Sequence, residues 1–429
     1  MKINEVRNEQ LGEMYYDIDH PSGLKILVMP KKGYASTYAI FSTKYGSIDT
    51  MIQLTDGNYK EIPEGTAHFL EHKLFESEDL DAFERFAKTG ASANAYTSFD
   101  RTGYLFSCSA NFKKNLEILL DFVQHPYFTQ ATVEKEQGII GQEIDMYKDV
   151  PDWEVMFNCL RNMYHNLPVR IDIAGTHESI AQITADVLYG CYNNFYNLNN
   201  MVLAVAGNTT VEEVLEVADS CLKPVEGKMA QRKVIDEPRE VITDYVEEKL
   251  SVATPQFILG FKEAWETPER TAKEEITMEI LLDMISGPSS ELYKRLFNDK
   301  LINSSFGFEY FTGFGYSCVF FAGESSSPKT VADEIKKEIK LFRENGIDDA
   351  TFERTKKKLY GRMIMGMNDV DELANNMIVS YFAGENIFTD FETYKTVTVD
   401  DVKELLSKTL DENYSTLSVI SPIQQEETK

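Results

Sequence analysis

The chain reads as an α+β protein of two similar domains, each a largely antiparallel or mixed sheet packed against helices. Three observations predict this class. Its 429 residues exceed one ordinary domain and suit two of roughly 200. With 43% hydrophobic and 12% aromatic residues it has the apolar surface for two cores and is not a disordered chain. Short alternating or fully apolar runs are interleaved with runs of helical period, and the theme recurs in the second half.

The first half opens with a strand-like run at residues 23–29, a turn through Pro30, Lys31, Lys32 and Gly33, and a second run at 38–43, and these two are expected to pair. Ala67, Phe69, Leu70 and Leu74 then mark a helix buried on much of its circumference. Residues 81–87 are helical, with Gly90 a candidate C-cap, and 91–99 and 103–109 are strand-like. Leu116, Leu119, Leu120 and Val123 recur at helical spacing, and after the break at Pro126 a long helix covers 132–147. Residues 201–206, closed by Gly207 and Asn208, read as a fully buried strand, and 211–222 as a helix.

The first domain therefore spans 1–222. Residues 223–250, with Pro224, Gly227 and Pro238 among alternating charges, read as a connector, and 251–429 as the second domain. There, strands are expected at 256–261, 316–322 and 416–420, and helices at 274–285, 330–344 and 350–365.

Composition excludes several classes of function. A net charge of −27 leaves no basic face for nucleic acid, and serves solubility or admits neutral and cationic peptides. No run approaches the ~18 apolar residues of a spanning helix, and the first residues lack a signal-peptide core, so no membrane span and a cytoplasmic location are expected. Cys108, Cys159, Cys191, Cys221 and Cys318 are scattered without CxxC spacing, which argues against both a disulfide framework and a thiolate metal site.

Residues 68–72 carry the chemistry. His68, Glu71 and His72 spell HxxEH, the inverse of the zincin motif. On a helix, His68 and His72 stand one turn apart on one face, so two imidazoles can converge on a metal ion. Glu71 lies beside them, placed to take a proton from water that the metal has made acidic. Such a pair inside an apolar helix would be costly without a function.

A catalytic zinc needs a third protein ligand. Glu136 and Glu143 are the best candidates, because Glu136, Ile140, Glu143 and Tyr147 share one face of the 132–147 helix. His125, His165 and His177 are alternatives, each isolated in a polar or turn-like stretch. All six histidines lie in the first half, so the second half holds no duplicate site of this kind.

The segments 64–76, 94–104 and 134–143 together resemble the insulinase or pitrilysin family of zinc peptidases, which includes the mitochondrial processing peptidase. The similarity is greatest to its short bacterial, processing-peptidase-like members. It implies a zinc metalloendopeptidase acting on short or unfolded peptides, with two homologous domains enclosing a chamber. It also implies one Zn2+ per chain, held by His68, His72 and Glu143, with Glu71 as general base and Glu136 steadying the site. By the same resemblance the run 91–99 is a sheet edge that pairs with substrate, with Asn94 and Ala95 as the matching positions. Phe69, Phe75, Tyr96 and Phe99 are candidates for apolar lining.

One departure bears on partners. Active relatives carry an Arg and a Tyr in the second domain, where residues 287–305 of this chain offer Leu296 or Phe297 and Ser304; Arg295 and Tyr310 are out of register. Losing such donors would remove roughly 3 kcal/mol of oxyanion stabilisation. The expected arrangement is a pair of subunits, either a heterodimer with a sister chain of the same family or a homodimer. The alternative is a zinc-binding subunit of a heteromeric processing complex with little activity alone.

Overall fold

The computed structural model describes residues 1–53, 57–78, 80–224, 231–264 and 271–423. The strands are β1 (Lys2–Asn8), β2 (Glu13–Asp19), β3 (Lys25–Pro30), β4 (Thr37–Thr43), β5 (Met51–Gln53), β6 (Tyr59–Glu61), β7 (Ser92–Thr97), β8 (Thr102–Cys108), β9 (Met201–Gly207), β10 (Tyr245–Leu250), β11 (Gln256–Lys262), β12 (Gly307–Gly313), β13 (Tyr316–Glu324) and β14 (Ser415–Pro422). The helices of the first half are α1 (Thr66–Leu74), α2 (Ala82–Ala87), α3 (Phe112–Gln124), α4 (Gln130–Tyr147), α5 (Pro151–Met163), α6 (His177–Ile180), α7 (Ala185–Phe195) and α8 (Val211–Cys221). Those of the second are α9 (Ala272–Ser286), α10 (Glu291–Asn298), α11 (Pro328–Asn345), α12 (Asp349–Gly366), α13 (Val370–Phe382), α14 (Thr389–Thr396) and α15 (Val399–Lys408).

Two compact units result, each a sheet packed against helices, as expected for the α+β class. The first comprises residues 1–144, 172–233 and 363–388; the second comprises 145–171, 234–362 and 389–429. Each unit thus takes one helix from the other half of the sequence: α13 belongs to the first, α5 to the second.

The first unit is built on a seven-stranded sheet in the order β1-β2-β3-β9-β4-β8-β7. The runs at 23–29 and 38–43 do not pair with each other as expected. β9 lies between them, parallel to β3 and antiparallel to β4. All seven residues of β9 are buried, so it needs a neighbour on either side, and the long connection before it lets it insert there. Alternation along the strands sends Val28, Phe41, Leu203, Tyr104 and Phe106 into a core that also takes Leu70 of α1, Leu119 of α3, Leu188 of α7 and Val214 of α8. The opposite face is covered by α13, which packs on β4 and β9.

The second unit has a five-stranded sheet in the order β10-β14-β11-β13-β12, in which β10 runs parallel to β14 and the remaining pairs are antiparallel. The connector therefore ends in a strand, β10, while residues 225–230, including Gly227, lie outside the described residues. α5 packs across β10, β11 and β14. Gly260 in β11 permits the approach, since a Cβ there would stand 2.4 Å from Met163 Cε and 2.7 Å from Cys159 Sγ. No described helix is long and apolar enough to cross a membrane.

Candidate metal centre

α1 and the stretch of α4 up to Ile144, both in the first unit, bring the motif histidines to a carboxylate. His68 is 8% exposed, and both histidines turn Nε2 towards Glu143: 3.6 Å from His68 to Oε1 and 3.5 Å from His72 to Oε2. These separations exceed a normal hydrogen bond. One oxygen of Glu143 thus faces each histidine, and a cation among the three side chains would be held by both imidazoles and the carboxylate. One donor atom from each of the three side chains lies within 4.8 Å of the others, the only such cluster of three His, Cys, Asp or Glu among the described residues. The donor chemistry, two imidazoles and a carboxylate, fits zinc.

The surroundings favour a cation. Burial and the neighbouring His72 depress His68 to about 3, so its imidazole is neutral and free to donate a lone pair. Its buried Nδ1 has no hydrogen-bond partner among the described residues. Burial pushes the Glu143 carboxyl up against the attraction of His72, and Asp172 and Glu136 add to the upward push. This crowd of carboxylates is what a divalent ion would relieve.

Glu136, on the same helical stripe as Glu143, takes a different place. Its Oε1 stands 3.0 Å from His72 Nδ1, so it orients that ring from behind and makes Nε2 the outward donor. Burial opposes protonation of His72, but the Glu136 hydrogen bond and the charges of Glu71 and Glu143 outweigh it and raise its pKa.

Glu71 is directed to β7, where its Oε2 accepts a 2.8 Å hydrogen bond from Thr97 Oγ1. Burial raises its pKa, against Thr97 and His72, which lower it. A raised carboxyl beside a candidate metal site is suited to taking and returning a proton. Thr97 was not singled out from the sequence; its position two residues beyond Ala95, on the face of β7 turned to α1, was the available signal.

Glycines lock the start of α1. Gly65, its N-cap, has φ +82°, and a Cβ there would stand 2.3 Å from the Ala174 carbonyl oxygen. Gly175, φ +78°, meets Glu64 O from the other side at 2.7 Å. Behind the motif, Lys73 is fully buried, its ammonium bound by the Glu76 carboxylate and 3.5 Å from Thr132 O on α4.

Asn94 and Ala95 lie on β7, which is the edge of the seven-stranded sheet and contacts α1. The Asn94 side chain accepts from the Ala95 N–H at 2.9 Å. Of the proposed apolar lining, Phe69, Phe75 and Phe99 are core residues instead, and only Tyr96 is partly exposed. The alternative histidines are elsewhere engaged. His125 Nδ1 lies 2.8 Å from Asp121 O, His165 Nε2 lies 3.1 Å from Glu240 O, and His177 packs against α4 at Gly141, where a Cβ would meet its ring at 3.1 Å.

Comparison with known proteins shows the family of the chain. Residues 51–177 match the family model described as "Insulinase (Peptidase family M16)", and residues 182–359 match "Peptidase M16 inactive domain". The chain is 38% identical over 431 residues to the "Uncharacterized zinc protease YmfH" of Bacillus subtilis (strain 168), covering 98% of this chain and 99% of that one. It is 23% identical over 458 residues to the "Probable mitochondrial-processing peptidase subunit beta, mitochondrial" of Arabidopsis thaliana, covering 99% and 85%. Among solved structures it is similar to a putative M16-like peptidase from Alicyclobacillus acidocaldarius, with a TM-score of 0.90, 35% identity and 98% of each chain covered.

Proposed function

From a chain that belongs to the insulinase family of peptidases, M16, we propose a zinc-dependent endopeptidase that hydrolyses short or unfolded peptides. The observation that carries the reading is the convergence of His68, His72 and Glu143 with Glu71 alongside. In it, His68, His72 and Glu143 hold one zinc ion. Bound there, zinc polarises a peptide carbonyl and acidifies water. Glu71 takes the proton from the attacking water and delivers it to the leaving amine. Glu136 keeps the His72 ring in register, and Thr97 holds the Glu71 carboxylate towards the reacting atoms. A peptide adds to the open side of β7 near Asn94 and Ala95, gaining main-chain hydrogen bonds that do not depend on its sequence.

The test is Glu71→Gln in the purified protein, with zinc content and peptide turnover measured together. The reading expects zinc retained and hydrolysis lost; hydrolysis at the wild-type rate would end it.

A second reading makes the chain one subunit of a pair, and the second unit supplies its support. Arg295 is held by Glu334 at 3.0 Å and Glu338 at 3.1 Å, while Phe297, near the position where active relatives carry their Arg, is 49% exposed. In this reading an oxyanion donor comes from a second chain, a copy or a sister. Turnover by the chain alone, compared with turnover after adding a sister chain of the same family whose own HxxEH is absent, separates the two readings.

A further inference from the structure

Among the described residues the edge strand β7 has a single hydrogen-bonded neighbour, β8, so half of its backbone meets no ladder there to hold it. Side chains do that work, one on each face. Towards α1, Thr97 reaches Glu71. Tyr96 is the preceding residue and so points to the other face, where its hydroxyl donates to Asn375 Oδ1 of α13 at 3.1 Å. The Asn375 amide is itself fixed: its Nδ2 donates to the Tyr38 hydroxyl of β4 at 3.3 Å and to Asp371 O at 2.9 Å.

Gly103 of β8 clears the path for this link. It pairs with Tyr96 across the ladder, and a Cβ there would stand 3.1 Å from the Tyr96 ring and 2.8 Å from Ile40 Cδ1. The ring lies over the bare glycine and carries its hydroxyl to α13. Asn375 sits beyond both stretches matched by the family models, in the half of the chain that has no histidine.

We infer that Asn375 is a positioning residue for the catalytic edge: by holding Tyr96 it fixes the roll of β7, and so keeps Thr97 on Glu71 and the strand aligned for a peptide. Consecutive strand residues point to opposite faces, so a roll that frees Tyr96 also withdraws Thr97. The inference rests on the roles given above to β7 and Glu71.

Three variants test it: Tyr96→Phe, which removes one hydroxyl; Asn375→Leu, of similar size without the amide; and the double variant. Amide hydrogen exchange over residues 92–97 is read first. Tyr96→Phe is expected to speed exchange there by roughly 5–10-fold, the loss of one net hydrogen bond, and Asn375→Leu by at least as much, since it also removes the bonds to Tyr38 and Asp371 O. Zinc content stays at the wild-type level, while kcat/KM falls with contributions from both a higher KM and a lower kcat. The double variant is expected to be no worse than Asn375→Leu, because both remove the same link. Unchanged exchange in both single variants, or additive effects in the double, overturns the inference. If Asn375→Leu does not fold, Tyr96→Phe decides alone on exchange. A wild type that holds zinc yet cleaves no better than Glu71→Gln defeats the peptidase reading instead, and the exchange cycle still judges Asn375.

Discussion

Thr97 Oγ1 donates to Glu71 Oε2 at 2.8 Å, so the open edge strand and the carboxylate beside the two histidines are one hydrogen-bonded unit. The bond does not touch any of the three side chains that converge as a metal site, so its loss should affect turnover and leave metal binding alone. Thr97→Val is expected to lower kcat by roughly 10–100-fold, as for a hydrogen bond to a charged group, while Thr97→Ser retains most activity. Stopped-time peptide assays with parallel zinc analysis check this; equal loss in both variants would point to packing of the methyl group instead.

The 3.0 Å contact between Glu136 and His72 Nδ1 predicts the opposite pattern. Glu136→Gln keeps a side chain of similar shape but weakens the partner that sets the ring. Zinc affinity is expected to fall by about 10–100-fold, read by competition with a chelating dye, and activity should return when zinc is raised. Affinity equal to wild type would show that His72 needs no such support.

The candidate metal site was legible because its chemistry is local: His68, Glu71 and His72 sit within five residues, and Glu136 and Glu143 share a helical stripe. Periodicity alone places both acids on one face; the family resemblance separated them, with Glu143 as ligand and Glu136 as support, and in the fold Glu136 stands at Nδ1 of His72 and Glu143 at the Nε2 atoms. Long helices and apolar strands such as α3, α4 and β9 were also readable. Pairing was not. β9 separates β3 from β4 although it follows them by more than 150 residues, a distance over which alternation carries no information about partners. The polar alternation of β1 and β2 hid a hairpin whose inner strand sends Tyr15 and Ile18 into the interior, and α13 gave no sign that it covers the first sheet.

The interlock of Gly65 and Gly175 predicts a strict size limit at the start of α1. Gly65→Ala places a Cβ at 2.3 Å from a backbone oxygen in a left-handed conformation, whereas Gly12, also left-handed at φ +66°, has open space around it. Thermal melts should show Gly65→Ala losing roughly 2–4 kcal/mol and Gly12→Ala only about 1. Because α1 starts at this lock, zinc affinity should fall with Gly65→Ala and not with Gly12→Ala.

In the second unit, Glu237 and Lys262 line a cavity of about 470 Å³ with Arg239, Glu263 and Tyr316. The two partners differ in what dominates. At Glu237, burial pushes the pKa up, but Lys262 at 2.7 Å and the backbone N–H groups of His165 and Asn166 outweigh it and hold the carboxyl below its usual range. At Lys262, burial outweighs Glu237 and lowers the ammonium. The carboxylate is therefore the stabilising member, and Lys262 depends on it together with the carbonyls of Met163 and Pro238. A depressed carboxyl contributes stability that is present above the unfolded value of about 4.3 and lost as the pH falls through the lower folded value. Glu237→Gln should thus melt below wild type at pH 7, by the roughly 3 kcal/mol expected when a buried pair loses one partner. The gap should close on acidification below the folded pKa of Glu237, because wild-type Glu237 is then neutral too. A gap of constant size from pH 7 to pH 3 would show that the glutamine acts through shape and not through the lost charge.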